Sequence, residues 1–339
     1  MRGRRLPRAH PLRSIPSRSN RPWRRRRILH SSTPPLPARR RRPQPLPDAP
    51  LPRICTAGEL PALREVHVWY LCPDELNNQS QLNMYEELLS PSEREYADSM
   101  KATMLRKDVV LSRALLRTTL SRYTGCKIDP RSFEFKKNKF GKPEVLWPLD
   151  DSTAEQPLHF NISHTTSLIA CGIAINAHIG IDVEEKKRNT TKNILSLARR
   201  YFTPSEVDSL AEISDSDAQR KEFLKLWTLK EAYVKALGMG FSGAPFSTFS
   251  IMLETSKGIR ISKTSNASRP GCDHLSENWL FTLAELNSSH YMSVCIEDSS
   301  RSQAGPEDSP APVGLKVWKT VPFVEDTLVS GTEAVKLIA

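Results

Sequence analysis

The sequence predicts a mixed α+β fold in which the second half of the chain repeats the order of elements of the first half, helices followed by strands. Three observations support this. Short apolar or alternating runs, typical of strands, occur in both halves. Each half contains a helix-start signal of the form Ser/Thr-Pro-Ser-Glu, at Ser90 and at Thr203. Each signal is followed by a longer helical pattern and then by further strand-like runs.

In the first half, the patterns place a helix after Ser90 that is bent near residues 101–103 and ends before Gly125, because glycine commonly closes a helix. The loop from 138 to 143 predicts a turn. The strands predicted in this half and at its boundary are residues 65–71, 133–135, 159–162, 168–175 and 179–184.

In the second half, helices are predicted over residues 194–202, from Thr203 onward, and over 221–237, where Gly238 ends the last one. Further strands are predicted at residues 247–253, 279–286 and 291–297. The sequence predicts four parts. The last contains a Ser-, Pro- and acid-rich linker at 299–312 and a tail with one possible strand at 315–318. The parts are a tail at 1–56, two halves at 57–178 and 179–298, and a linker and tail at 299–339.

The positive charge of the chain is concentrated at its N-terminus. Residues 1–56 contain 16 arginines, no lysine and one acid, and the whole chain has 49 basic and 38 acidic residues. The remaining 33 basic and 37 acidic residues give residues 57–339 a net charge of −4. An Arg-rich, acid-poor, proline-rich segment is typical of an organellar transit peptide, mitochondrial or plastid, or of a disordered basic tail on a cytoplasmic protein. The mildly acidic body argues against a nucleic-acid-binding protein.

Two further classes are disfavoured by the sequence. None of the six cysteines forms a C-x-x-C pair, so no zinc site is indicated. The longest apolar run, residues 168–175, is too short to span a bilayer, so we expect no membrane partner.

Three acids and two lysines, Lys230 and Lys235, form the strongest candidate site. Asp182 and Glu184 are two apart on a predicted strand, so their side chains share one face. Glu231 and Lys235 are four apart on a predicted helix and also share a face. Carboxylates are ligands for hard divalent cations, and a neighbouring lysine suits a phosphate. The alternative for each pair is an ordinary solvated surface pair.

A hydroxyl, an imidazole and a basic turn accompany these residues. Ser163 and His164 fall at the junction of two predicted strands, where they suit a phosphate or have a purely structural role. Lys142 lies with Gly141 in the predicted turn, which is either a further phosphate-binding element or a solvated loop.

In this order and spacing, the segments H-F-N-I-S-H, G-I-D-V-E and W-T-L-K-E-A-Y-V-K-A-L-G resemble the 4′-phosphopantetheinyl transferases of the large monomeric, surfactin-synthetase-activating type. The turn N-K-F-G-K-P resembles the G-K-P element of that family. The resemblance covers residues 60–298. It implies two similar α+β halves related by a pseudo-twofold axis, with Mg²⁺ and coenzyme A in the cleft between them.

The resemblance also implies roles for individual residues. Asp182, Glu184 and Glu231 are expected to bind Mg²⁺. Lys230 and Lys235 are expected to flank the pyrophosphate, and Lys235 to assist catalysis. The residues expected to contact coenzyme A are Arg94, Lys107, Lys142, Ser163, His164, Lys230 and Lys235. The N-terminal part of this phosphate clamp departs from the family, because Tyr96 stands where a second basic residue is common, and Lys107 or Arg113 would then compensate.

The implied reaction is Mg²⁺-dependent transfer of 4′-phosphopantetheine from coenzyme A to a serine of an apo acyl carrier protein, as in fatty acid biosynthesis. Adenosine 3′,5′-bisphosphate is released. The protein is then a monomeric holo-[acyl-carrier-protein] synthase, with Glu231 or a metal-bound water beside it as the general base.

Three other functions are less consistent with the residues. A metal nuclease is favoured only by the E-x-K unit at residues 184–186, and the strand at 168–177 lacks the further acid that such sites need. A basic-tailed nucleic-acid binder is disfavoured by the charge of the body. An inactive relative that only binds carrier proteins is disfavoured by the retained acids and Lys235.

Overall fold

The computed structural model describes residues 58–147, 158–188, 193–254, 258–263, 278–298 and 313–339. The predicted basic tail at 1–56 and the predicted linker at 299–312 lie outside these residues. None of the helices in the described ranges is both long and apolar enough to cross a membrane.

The first half of the chain has one strand, three helices, a hairpin and two more strands. These elements are β1 (Glu65–Leu71), α1 (Gln79–Glu87), α2 (Pro91–Asp98), α3 (Thr103–Tyr123), β2 (Glu134–Lys137), β3 (Pro143–Leu146), β4 (Leu158–His164) and β5 (Ile169–Ile175). The predicted bend near residues 101–103 is the break between α2 and α3. Helix α1 and strand β3 were not predicted.

The second half repeats this order. Its elements are β6 (Ile179–Glu185), α4 (Ile194–Tyr201), α5 (Pro204–Ala211), α6 (Ser216–Leu237), the short α7 (Gly240–Gly243), β7 (Phe249–Glu254), β8 (Gly258–Lys263), β9 (Trp279–Leu286) and β10 (His290–Glu297). Three antiparallel strands recur in the same spatial order, β1-β5-β4 in one sheet and β6-β10-β9 in the other. The predicted pair of similar α+β halves is therefore confirmed.

The two halves meet where β4 runs beside β6. The side-chain oxygen of Asn161 accepts a hydrogen bond from the backbone N–H of Ile181 at 2.9 Å. The hydroxyl of Ser163 accepts one from the N–H of Val183 at 3.2 Å. These side chains satisfy backbone groups of the neighbouring strand, so they fix the position of β6 relative to β4.

Equivalent helices of the two halves begin with the same cap. Ser90 before α2 and Thr203 before α5 each form a capping box, with Glu93 and Glu206 as the reciprocal partners. Ser90 and Thr203 are 113 positions apart, as are Glu93 and Glu206. The two helix-start signals in the sequence are thus equivalent positions of one repeated unit.

Loss of the Ser90 hydroxyl should destabilise the protein modestly. Replacing an N-cap serine by alanine typically costs about 1 kcal/mol, and the Ser90 hydroxyl accepts a hydrogen bond from the backbone N–H of Glu93. We expect Ser90→Ala to lower the free energy of unfolding by about this amount in urea denaturation. The exposed Ser92→Ala is the control, and an equal loss in both variants would contradict the capping role.

A buried basic residue follows each capping box. Arg117 of α3 pairs with Glu93 at 2.7 Å, and Lys230 of α6 pairs with Glu206 at 2.8 Å. Both side chains also donate to backbone carbonyls just before or at the start of the next hairpin, those of Pro130 and Phe133 for Arg117 and of Phe246 and Phe249 for Lys230. Each half therefore fixes its long helix to its capped helix by the same buried ion pair.

The C-terminal residues are part of both sheets. Strand β11 (Gly314–Val321) pairs in parallel with β1, β12 (Glu325–Leu328) pairs with β11, and β13 (Val335–Leu337) pairs with β9. Trp318 stacks on Trp69 with 4.7 Å between ring centroids, and Asp326 forms a bidentate ion pair with Arg122. The sequence predicted only a tail with one strand here, because strands with half-exposed, polar faces lack a clear apolar alternation.

Candidate functional site

The candidate site is built on strand β6 and helix α6, which lie in direct contact. A Cβ added to Gly180 would come within 1.9 Å of the carbonyl oxygen of Ala232, so only glycine permits this approach. The alternation of β6 then directs Asp182 and Glu184 toward α6, on the side of Gly180. Ile181 and Val183 lie on the other side, in the core between the sheets.

Lys235 and Asp182 form the centre of the site. The Nζ atom of Lys235 lies 2.6 Å from Asp182 Oδ1, 2.9 Å from Ser163 Oγ and 3.1 Å from the carbonyl oxygen of Ile181. Ser163 also donates its hydroxyl to Asp182 Oδ1 at 2.9 Å. The structure thus brings together β4, β6 and α6 at three of the residues that the sequence predicted.

Glu184 lies at the outer end of the same face. Arg188 NH1 donates to Glu184 Oε1 at 2.6 Å. Burial and the neighbouring Asp182 carboxylate raise the pKa of Glu184 to about 7, although Arg188 opposes this. Arg188 was not among the predicted site residues, although its position four residues after Glu184 was a usable signal.

Glu231 faces these carboxylates from α6 and is only 2% exposed. Burial, Asp182 and Glu184 raise the pKa of Glu231 to about 8, with Lys235 acting in the opposite direction. Burial raises the pKa of Asp182 as well. Burial disfavours charged Lys235, but the Asp182 and Glu231 carboxylates outweigh it and raise the pKa of Lys235.

This charge distribution fits a divalent cation. Three carboxylates face one lysine and one arginine, so the fully ionised cluster carries one excess negative charge. Asp182 Oδ2 and Glu231 Oε1 are both buried without a hydrogen-bond partner, and such atoms are costly unless a ligand satisfies them. No three His, Cys, Asp or Glu side chains in the described residues are already gathered into a metal-binding group. A cation would therefore have to draw these acids closer together.

His164 follows Ser163 at the end of β4, and Lys142 lies in the β2–β3 hairpin. Burial and the nearby Lys235 lower the pKa of His164, so its imidazole is neutral near pH 7. Lys142 Nζ donates to the carbonyl oxygens of Ile179 and Ala236, at 2.8 and 3.3 Å, and its burial lowers the pKa to about 8. Lys142 therefore joins the turn of the β2–β3 hairpin to β6 and α6.

An open cavity of about 610 Å³ lies beside this turn. Its lining includes Phe140 from the turn, Met239 from the residues after α6, and Trp279 and Glu297 from β9 and β10. Aromatic and thioether surfaces with a few polar groups are typical of sites for flat organic rings.

Lys230 does not belong to this site. It is 0% exposed and its ammonium lies over the ring of Phe249, paired with Glu206. The prediction that Lys230 flanks a pyrophosphate is corrected, because consecutive residues of a helix point about 100° apart and this one enters the core of the second half.

The N-terminal basic residues have local partners. Arg94 donates to the carbonyl oxygens of Leu89 and Glu87, and Lys107 donates to the side chain of Asn77. Arg113 lies 3.5 Å from Glu93. None of these contacts joins the carboxylate cluster, so contact between Arg94 or Lys107 and coenzyme A stays a prediction.

Buried acids with unpartnered oxygens thus lie beside a lysine and a hydroxyl where the two α+β halves meet. Residues 178–295 match the family model of the 4′-phosphopantetheinyl transferase superfamily. This range contains β6, α6 and most of β10.

Curated relatives agree with this match. The chain is 35% identical over 178 residues to the 4′-phosphopantetheinyl transferase HetI of Nostoc sp. (strain PCC 7120), covering 52% of this chain and 70% of HetI. It is 30% identical over 176 residues to the transferase Sfp of Bacillus subtilis (strain 168), covering 52% of this chain and 71% of Sfp. The chain belongs to the 4′-phosphopantetheinyl transferase superfamily and is an enzyme of that class.

A solved structure is also similar, at a lower level. The Thermotoga maritima holo-[acyl-carrier-protein] synthase is 20% identical, with 36% of this chain and 62% of that chain covered and a TM-score of 0.27.

Proposed function

We propose that this protein transfers 4′-phosphopantetheine from coenzyme A to a serine of an apo acyl carrier protein, with Mg²⁺ as cofactor, and releases adenosine 3′,5′-bisphosphate. The observation that supports this most directly is the contact of Lys235 with Asp182 and Ser163, beside the unpartnered oxygen of Glu231. These residues combine carboxylate ligands for a cation with the fixed positive charge of Lys235. Both stabilise the charge of a pyrophosphate.

The residues divide between the cation and coenzyme A. Asp182, Glu184 and Glu231 would hold Mg²⁺, which when bound neutralises negative charge on the pyrophosphate. Lys235 and Ser163 would bind the phosphate oxygens. The neutral ring of His164 would donate or accept a hydrogen bond. The cavity beside Phe140 would receive the adenosine part of coenzyme A.

In this reaction the serine oxygen of the carrier protein forms a bond to the β-phosphorus of coenzyme A. The bond from that phosphorus to the oxygen of the adenosine 5′-phosphate breaks, and adenosine 3′,5′-bisphosphate leaves with the bonding electrons. The serine proton goes to a base. Glu231, or a metal-bound water beside it, would be this base.

Mass spectrometry tests the proposal directly. The full-length chain is incubated with coenzyme A, Mg²⁺ and a panel of apo carrier proteins that includes fatty-acid-synthesis carriers, and the products are weighed. We expect a phosphopantetheine mass on the carrier serine and release of adenosine 3′,5′-bisphosphate, both lost with EDTA. Binding of carriers without any mass gain would instead support the inactive relative.

Cation binding should release protons near neutral pH. The pKa values of Glu184 and Glu231, about 7 and about 8, mean that protons compete with the cation below those values. We expect the apparent affinity for Mg²⁺ to rise as the pH increases through 7 and 8 and then to level off.

Calorimetric titration measures this release. The observed heat at pH 7 should differ between buffers of low and high ionisation enthalpy, such as PIPES and Tris, by an amount that gives the protons released. The Glu222→Gln variant, altered on the exposed side of α6, should behave as the wild type. Heat that does not depend on the buffer would contradict the raised pKa values.

We further propose that residues 1–56 direct the protein to an organelle, on the strength of their 16 arginines and single acid. A fluorescent protein fused to these residues should enter mitochondria or plastids. A diffuse cytoplasmic signal would contradict the proposal.

A further inference from the structure

Strand β10 carries a buried hydroxyl that the proposed function leaves unexplained. Ser293 is 0% exposed, and its Oγ has no hydrogen-bond partner. It lies between Tyr291 and Cys295, which belong to the core around α6. By the alternation of a strand, Ser293 shares their face and points toward α6.

The register of the sheet places this hydroxyl at the carboxylate cluster. Ser293 is the direct partner of Asp182 in the antiparallel pair of β10 and β6. Directly opposed residues have Cβ atoms about 4.5–5.5 Å apart on the same face of a sheet. Asp182 Oδ2 is also buried and also lacks a partner. Two unsatisfied polar groups are thus adjacent in the interior, and both face α6, the helix that carries Glu231.

A lone buried hydroxyl does not by itself indicate a site. Tyr233 on α6 likewise has a buried hydroxyl without a partner. Its ring, however, packs against Phe249, Trp279 and Phe281, in the aromatic part of the core. Ser293 differs because its nearest neighbour across the sheet is a carboxylate with a free oxygen. Tyr233 is therefore the natural reference for Ser293.

We propose that Ser293 is a positioning residue of the divalent-cation site, an inference that rests on the proposed function. In the loaded site its hydroxyl hydrogen-bonds to Asp182 Oδ2 or to a water beside it, and so holds the Asp182 carboxylate for the cation. A serine has one heavy-atom torsion, so it can make this contact without movement of the backbone. In the free protein the Ser293 hydroxyl has no partner. In the loaded protein this hydrogen bond satisfies it.

This role predicts opposite effects of one substitution on the free and loaded protein. In the free protein, Ser293→Ala removes an unsatisfied buried hydroxyl and should leave the thermal stability unchanged or higher. In the loaded protein it removes a hydrogen bond to a metal ligand. Loss of such an outer contact typically weakens metal binding about 10–100-fold, and we expect the lower end of that range.

The test compares full-length wild type, Ser293→Ala and Tyr233→Phe. The dissociation constant for Mg²⁺ is measured by calorimetry, and the Mg²⁺-induced shift in melting temperature by thermal denaturation. For Ser293→Ala we expect a dissociation constant about tenfold higher and a smaller shift. The Mg²⁺ concentration for half-maximal phosphopantetheine transfer should rise by the same factor. Tyr233→Phe should resemble the wild type in all three measurements.

Ser293→Ala with the Mg²⁺ affinity of the wild type would overturn the inference. Equal weakening in Tyr233→Phe would also overturn it, because the effect would then be a general consequence of altering the core. Neither result bears on the proposed function, because that function is tested separately by the mass gain of a carrier protein. Wild-type protein that binds Mg²⁺ and transfers nothing would reject the function, and the comparison of affinities would still decide the role of Ser293.

Discussion

Glu231→Gln should reduce phosphopantetheine transfer by about 10²–10⁴-fold, the usual contribution of a positioned acid or base, while the protein stays folded. The glutamine keeps the shape of the side chain and removes its charge. Since the pKa of Glu231 is raised to about 8 by burial and by Asp182, a neutral side chain costs the free protein little. Steady-state rates with saturating coenzyme A measure the loss, and urea denaturation measures the stability.

Glu222→Gln is the matched control for this experiment. Glu222 lies on the same helix, and its side chain is 40% exposed and paired with Lys225 at the surface. It should keep wild-type turnover. Near-normal turnover in Glu231→Gln would show that the site has been placed on the wrong residues.

Lys230→Met should destabilise the protein by about 3–5 kcal/mol, because removing one member of a buried ion pair leaves the other charge uncompensated. The charge left behind is Glu206, which also accepts hydrogen bonds from the backbone N–H groups of Thr203 and Ile251. Urea denaturation at low temperature, where the variant remains folded, gives the loss. The Michaelis constant for coenzyme A should not change.

Two variants check the interpretation of Lys230. Lys225→Met, which removes a surface ion pair of the same helix, should cost no more than about 1 kcal/mol. Adding Glu206→Gln to Lys230→Met should recover part of the stability, because no unpaired charge then remains buried. A stable Lys230→Met variant with weakened coenzyme A binding would support the pyrophosphate role of Lys230, which its buried position contradicts.

The sequence predicted the candidate site better than its surroundings. Asp182, Glu231 and Lys235 were found because strand and helix periodicity is local, and each pair shares a face within one element. Ser163 joined them because its spacing matched a family pattern. Their meeting depends on Gly180, where α6 contacts β6, and no local signal reports that approach.

The errors came from side chains whose direction depends on distant parts of the fold. Lys230 is adjacent to Glu231 in sequence, but it enters an aromatic core that contains Phe202, between α4 and α5, and Phe249, at the start of β7. Ser293 could be placed on one face of a strand by alternation. Its contact with Asp182 could not be predicted from the sequence, because the pairing of β10 with β6 joins residues more than a hundred positions apart.

The parallel pairing of β1 with β11 has a consequence for how the protein is made. Val68 of β1 lies beside Val317 of β11, about 250 positions later in the chain. At the usual synthesis rate of about 5–20 residues per second, β1 leaves the ribosome roughly ten to fifty seconds before its partner exists. During that interval the edge of β1 that β11 later covers is an unpaired template for other chains. Completion of the first sheet therefore waits until β11 and β12 have been synthesised, long after β4 and β5 are available to pair with each other and with β1.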